Sequence, residues 1–153
     1  MNLRSVLVVC VGNICRSPVG ERALAADLAA RGAEIMVSSA GLGALVGHGA
    51  DATASTVAAR HGVSLDGHVA RQFTRALGQA HELILVMEPG HRQEIARLAP
   101  DLSGRVMLFD HWCGGKGIAD PYRRSAEFHE AVFGQIRDGA SLWAEKLTYK
   151  AYG

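Results

Sequence analysis

Cysteine is scarce in this chain, with three in 153 residues. The count is odd and two of the three, Cys10 and Cys15, lie five apart. That pattern does not suit a secreted disulfide scaffold and predicts thiols in a reducing cytoplasm. Long apolar runs are also missing: none approaches the ~20 residues of a membrane span, so no membrane insertion is expected. The opening Met1-Asn2-Leu3-Arg4-Ser5 lacks the basic head, apolar stretch and cleavage site of a signal peptide. Charge of one sign is not in excess, because 16 Lys+Arg against 15 Asp+Glu leave +1. A nucleic-acid binder needs a basic face to displace counterions, so no nucleic-acid partner is expected. One strongly positive site remains compatible with this balance. Finally, His48, His61, His81, His91, His111 and His129 show no metal-ligand spacing. Ordinary surface or loop positions are expected for all six.

What is present reads as a globular domain spanning 1–153, with 48% hydrophobic and 20% charged residues. Strands and helices alternate. Val6-Leu7-Val8-Val9 is a continuous apolar run, as in a parallel strand covered on both faces. Ser17-Pro18 opens a helix to about Arg31, with Ser17 as cap and Pro18 at the first helical position, and Gly32 ends it. A short strand is expected over 34–38, then a glycine-rich segment over 41–49 and a helix over 52–61. Leu83 to Met87 reads as a third strand, Pro89 to Ala99 as a helix, and Val106 to Phe109 as a fourth strand. A loop over 110–122 leads to an amphipathic helix over about 125–147, facing Phe128, Val132, Ile136 and Leu142-Trp143 inward. The alternation predicts an α/β fold, a parallel sheet with helices on both faces. Ligands of such sheets bind beyond the C-terminal ends of the strands, which makes the segment after Cys10 the leading site.

That segment is Cys10-Val11-Gly12-Asn13-Ile14-Cys15-Arg16-Ser17-Pro18. It is not a Walker loop, having neither the spacing nor the lysine. It does have the makings of an anion cradle. A loop curling from strand to helix points successive N–H groups inward, and the helix N-terminus adds partial positive charge. Gly12 and Asn13 tolerate the left-handed backbone that such a nest requires, and Arg16 adds a planar fork matched to two phosphate oxygens. The field that holds a dianion also favours thiolate over thiol, making Cys10 a candidate nucleophile aimed at phosphorus. A small buried cysteine in a tight turn is the bland alternative.

With its preceding valine, V-C-V-G-N-I-C-R-S-P resembles the signature of the low-molecular-weight protein tyrosine phosphatases. The resemblance continues at His68-Val69-Ala70-Arg71-Gln72 and at Asp120-Pro121-Tyr122. It implies a four-stranded parallel sheet with flanking helices, a phosphocysteine intermediate formed on Cys10, Arg16 as phosphate clamp, and no metal or cofactor. Val11, Gly12, Asn13, Ile14, Cys15 and Ser17 would contact the phosphate, and Leu45 and Tyr122 the substrate ring. Asn13, Ser17, Ser39 and His68 resemble the family's polar network that holds the loop in shape. In the family a cysteine at the position of Cys15 can form a reversible disulfide with the nucleophile; a small buried side chain explains it equally well. Cys113 has no counterpart in the family pattern.

Expelling the phenolate of tyrosine calls for a proton donor opposite the nucleophile. Asp120, held extended by Pro121 after the last strand, is the candidate acid, and later the base for water. Since it must be protonated for the first step, activity is expected to peak on the acidic side of neutral.

Two features depart from the animal enzymes. Ala44-Leu45-Val46 stands where they carry an aromatic, and Arg123 follows Asp-Pro-Tyr where they have a second tyrosine. Together with Leu108-Phe109-Asp110-His111-Trp112, these resemble a Gram-negative bacterial subgroup. Its members dephosphorylate a membrane tyrosine autokinase in exopolysaccharide or capsule export, which the resemblance implies as partner. Arg123 and Arg124 could attract acidic peptide; a solvated basic pair is an equal reading. Three alternatives compete. An arsenate reductase would need relay cysteines downstream, a phosphocysteine carrier would leave Arg16 and Asp120 without purpose, and a dead phosphotyrosine-binding module would not retain all three groups.

Overall fold

The computed structural model describes residues 3–149. Four strands, β1 (Ser5–Cys10), β2 (Met36–Gly41), β3 (Leu83–Val86) and β4 (Val106–Leu108), form one all-parallel sheet in the order β2-β1-β3-β4. Strands β1, β3 and β4 fall on the apolar runs that predict them, while β2 runs over Met36–Gly41 and not 34–38, because Met36 to Gly41 is the stretch that pairs with Ser5 to Cys10. Strand β1 is internal and wholly apolar from Val6 to Val9 because it is covered on both faces. Alternate residues serve the two layers. Val6 and Val8 pack under α1 (Arg16–Ala30), α2 (Ala52–Arg60) and α5 (Ala126–Thr148), while Leu7 and Val9 pack with Ile95 of α4 (Pro89–Leu98) and with Phe73 and Leu102.

Helix α5 buries Val132, Phe133, Ile136, Ala140, Trp143 and Ala144 at helical spacing, and Phe128 packs on the same core. Leu142 is only half-buried, because the stripe turns through Trp143 instead. Two glycines set how closely helices approach the sheet. A methyl group on Gly20 would press on Val8, Met87 and Phe109 at 3.1 Å, and one on Gly139 would meet the Phe109 ring at 2.9 Å.

Three local expectations are corrected. Helix α1 begins at Arg16 with Cys15 at its N-cap, so Ser17 lies inside the first turn and does not cap the helix, and Pro18 is its third residue and not its first. A short helix, α3 (Arg75–Gln79), capped by Thr74, precedes β3, and 3-10 turns at Pro100–Arg105 and His111–Cys113 flank β4. His81, His91 and His129 are buried, not at the surface. The imidazole's apolar body can be covered if its polar tip finds a partner: His81 Nδ1 reaches the Leu77 carbonyl at 2.8 Å, and His91 and His129 face Glu88 and Asp51.

The strand order reverses beside β1, since β2 lies on one side of it and β3 on the other. The C-terminal end of β1 therefore opens onto the crevice where doubly wound sheets hold ligands.

Candidate active site

Residues 11–15 curl from the end of β1 into α1. Asn13 sits at the tip with φ 57°, the left-handed backbone that asparagine tolerates. Its side chain is fully buried and every polar end is used. Nδ2 donates to Ser17 Oγ at 2.7 Å and to Ser39 Oγ at 3.0 Å, and Oδ1 accepts from the Arg71 backbone at 2.9 Å. The Asn13 carbonyl accepts from His68 Nε2 at 2.6 Å. Ser39 Oγ in turn donates to Glu21 Oε1 at 2.7 Å. Such a satisfied buried network holds the loop in one shape.

The loop also leans on its neighbours. Leu42 N, Gly43 N and Leu45 N donate to the carbonyls of Cys10, Val11 and Gly12 at 2.9–3.1 Å. At Gly41 this approach is so close that any Cβ would collide with the Val11 carbonyl.

The Cys10 sulfur shares a hydrogen bond with Ser17 Oγ at 2.9 Å and accepts from the Ser17 backbone N–H at 3.4 Å. Cys10 and Cys15 are both free thiols. Burial pushes the Cys15 thiol far above its ordinary range, Asp51, Asp120 and Cys10 add to the shift, and Arg16 opposes it.

Arg16 is the largest fully buried side chain. Its Nη1 donates to Glu88 Oε2 at 2.6 Å and to the Ile118 carbonyl at 2.7 Å. Among the described residues its Nε and Nη2 make no hydrogen bond to protein; Nη2 stands 3.8 Å from Asp120 Oδ2. One edge of the guanidinium is thus anchored and the other left for a ligand. Asp120 is half-exposed, and its Oδ1 accepts from the Tyr122 backbone N–H at 3.0 Å.

These groups share a cavity of about 190 Å³ lined by Cys10, Val11, Gly12, Ile14, Cys15, Arg16, Gly43, Leu45, Asp120 and Tyr122. Leu45 and Tyr122 are partly exposed. Asn13, Ser17, Ser39 and His68 do not line the cavity; they stand behind the loop. Glu88, Glu21 and Arg71, which contact these residues directly, were not among the residues that sequence reasoning selected. For Glu88 a signal existed, since it follows the end of β3 as the loop follows β1. Among the described residues no cluster of three or more His, Cys, Asp or Glu is arranged to hold a metal, and no helix is long and apolar enough to cross a membrane.

Known proteins resemble this chain in sequence and in fold. The chain is 50% identical over 143 residues to the low molecular weight protein-tyrosine-phosphatase Wzb of Escherichia coli K12, covering 94% of this chain and 95% of the relative. The crystal structure of the Erwinia amylovora tyrosine phosphatase AmsI superposes with a TM-score of 0.91 at 48% identity, covering 96% and 95% of the two chains. Vibrio vulnificus Wzb in complex with benzylphosphonate superposes with a TM-score of 0.90 at 43% identity, covering 94% and 99%. The model of the low molecular weight phosphotyrosine protein phosphatase family matches residues 5–152, and the chain belongs to that family.

Proposed function

We propose that this chain hydrolyses phosphotyrosine in proteins through a phosphocysteine intermediate, with Cys10 as nucleophile, Arg16 as phosphate clamp and Asp120 as acid and then base. The observation that carries the reading is the cavity wall, where the Cys10 sulfur, the free edge of Arg16 and the Asp120 carboxyl converge. The loop's N–H groups and the start of α1 favour a dianion in front of the sulfur. Arg16 supplies a fork for two of its oxygens.

In the first step the Cys10 thiolate forms a bond to phosphorus as the bond from phosphorus to the tyrosyl oxygen breaks, and Asp120 gives its proton to that oxygen. In the second step water attacks the phosphocysteine, Asp120 takes the water's proton, and phosphate leaves as the sulfur regains its electron pair. Ser17 Oγ, already aimed at the sulfur, stabilises it as nucleophile and as leaving group. Leu45 and Tyr122 line the same cavity and would flank the aryl ring. The benzylphosphonate bound by the Vibrio vulnificus relative has the shape such a mouth accepts.

The protein substrate we assign is a cytoplasmic tyrosine-rich segment of a membrane tyrosine autokinase serving exopolysaccharide or capsule production. The similarity to bacterial Wzb and AmsI supports it. The arsenate-reductase reading gains nothing from the geometry, because Cys113 stands exposed on its 3-10 turn and does not line the cavity.

Rapid-quench experiments with a 32P-labelled phosphotyrosine peptide test the mechanism. Label should appear on Cys10, accumulate in Asp120→Ala and vanish in Cys10→Ala. Turnover surviving in Cys10→Ala overturns it.

A further inference from the structure

His91 lies at the first turn of α4, and its backbone N–H donates to the Glu88 carbonyl at 3.0 Å. Its ring is buried, with Nε2 3.4 Å from Glu88 Oε2. That same oxygen accepts from Arg16 Nη1 at 2.6 Å. The other ring nitrogen, Nδ1, is buried without any hydrogen-bond partner. The single proton of the uncharged ring therefore belongs on Nε2. On Nδ1 it would face no acceptor, and the Nε2 lone pair would oppose a carboxylate.

The charged groups that face the ring are Arg16 from α1, Glu88 at the N-cap of α4 and Asp120 from the loop after β4. Burial first, and then Arg16, hold the ring's proton affinity below the ordinary histidine range, against Glu88 and Asp120.

Glu88 needs the help. Its side chain is 44% exposed while that of Arg16 is 1% exposed, so one half of the pair is in water. Water competes for a carboxylate so placed, although losing it would leave the buried guanidinium short of a counter-charge. If it swings away, Arg16 Nη1 keeps only the Ile118 carbonyl, and the free edge is aimed less firmly at the cavity.

We propose that His91 is a positioning residue of the phosphate clamp, holding the Glu88 carboxylate against Arg16 through Nε2–H. The proposal rests on Arg16 being the clamp. Two variants separate this polar contact, 3.4 Å in the resting structure, from mere volume. Gln places its amide nitrogen near the position of Nε2, whereas Phe fills the space without a donor.

With p-nitrophenyl phosphate as substrate, His91→Phe should lose roughly tenfold in kcat/KM, of the order that small misplacements cost. Its inhibition constant for inorganic phosphate should weaken by a similar factor, and His91→Gln should stay near wild type in both. In a Glu88→Gln background, His91→Phe should add little further loss, since the two act through one contact. An unchanged phosphate inhibition constant in His91→Phe, or a full loss persisting in the Glu88→Gln background, overturns the proposal. Nitrogen NMR of the wild-type imidazole gives a test independent of folding in the variants: an Nε2–H ring at neutral pH supports it, and an Nδ1–H or doubly protonated ring overturns it. Arg16→Ala serves as the separate control. Activity surviving there removes the clamp itself, whereas a dead Arg16→Ala beside a wild-type His91→Phe removes only the role of His91.

Discussion

Asn13 Nδ2 donates to Ser17 Oγ at 2.7 Å, and that bond sets the direction of the serine proton. An oxygen already accepting from Asn13 turns its own hydrogen toward the Cys10 sulfur at 2.9 Å, the nearer of its two acceptors, the Ala40 carbonyl being 3.5 Å away. Ser17→Ala removes a donor that matters most when the sulfur must leave phosphorus. Hydrolysis of the phosphocysteine should slow by ~10²–10³-fold, on the scale of one lost charge-stabilising donor. A burst of nitrophenol followed by a slow steady state is the expected trace.

Asn13→Ala strikes the same network from its centre. It strands two hydroxyls and the Arg71 N–H at a buried site, at a cost of about 2–3 kcal/mol in unfolding free energy. Urea denaturation measures that cost, and kcat should fall with it because the loop loses its left-handed tip.

Asp120→Ala should lower kcat by ~10²–10⁴-fold on aryl phosphates with poor leaving groups. The loss should shrink as the leaving phenol becomes more acidic, because such a phenolate departs without a proton. A series of substituted phenyl phosphates reads this as a steeper dependence on leaving-group acidity than in the wild type.

Cys15 predicts an alkaline instability. Its folded thiol holds a proton that the unfolded thiol releases in the ordinary range. Once pH rises above that range the unfolded state binds fewer protons, and stability falls by up to about 1.4 kcal/mol per pH unit. Below that range the group contributes no pH dependence. Cys15→Ala should flatten the alkaline limb of a plot of melting temperature against pH. At neutral pH iodoacetamide should modify Cys10 while sparing Cys15, and phosphate should protect Cys10.

Gly41→Ala tests how tightly the loop is backed. The added methyl group meets the Val11 carbonyl, so β2 or the loop must shift. Overpacking of this kind costs roughly 1–3 kcal/mol. The KM for phosphotyrosine peptide should rise along with the drop in melting temperature.

Much of this arrangement is legible in the sequence. Apolar runs mark β1, β3 and β4 because strands covered on both faces leave few polar positions to blur them, whereas β2, with Ser38 and Ser39, is blurred and lies two to three residues beyond the expected 34–38. The loop from Cys10 to Ser17 declares itself by lying between such a run and a helix start. Helix α3 escaped notice because five residues show no periodicity and only Thr74 signals its start. Ser17 was mistaken for a cap because a serine before proline fits that role equally well, and only the fold shows its hydroxyl turned to sulfur. Glu88 and His91 were silent for a different reason. Their approach to Arg16 depends on β3 lying beside β1, with Val9 opposite Val86, a pairing across 77 positions that local pattern does not encode.

Arg123 is the other described non-glycine residue with positive φ, at 61°, and its guanidinium lies 5.2 Å from the centre of the Tyr122 ring. Asn13 lies in the loop behind Cys10 and Arg123 beside the cavity-lining Tyr122, and both hold backbone that ordinary side chains avoid, at about 1–2 kcal/mol apiece. A selection for thermal hardiness alone would drift toward glycine at 123, loosening the Tyr122 gatepost as it gained degrees.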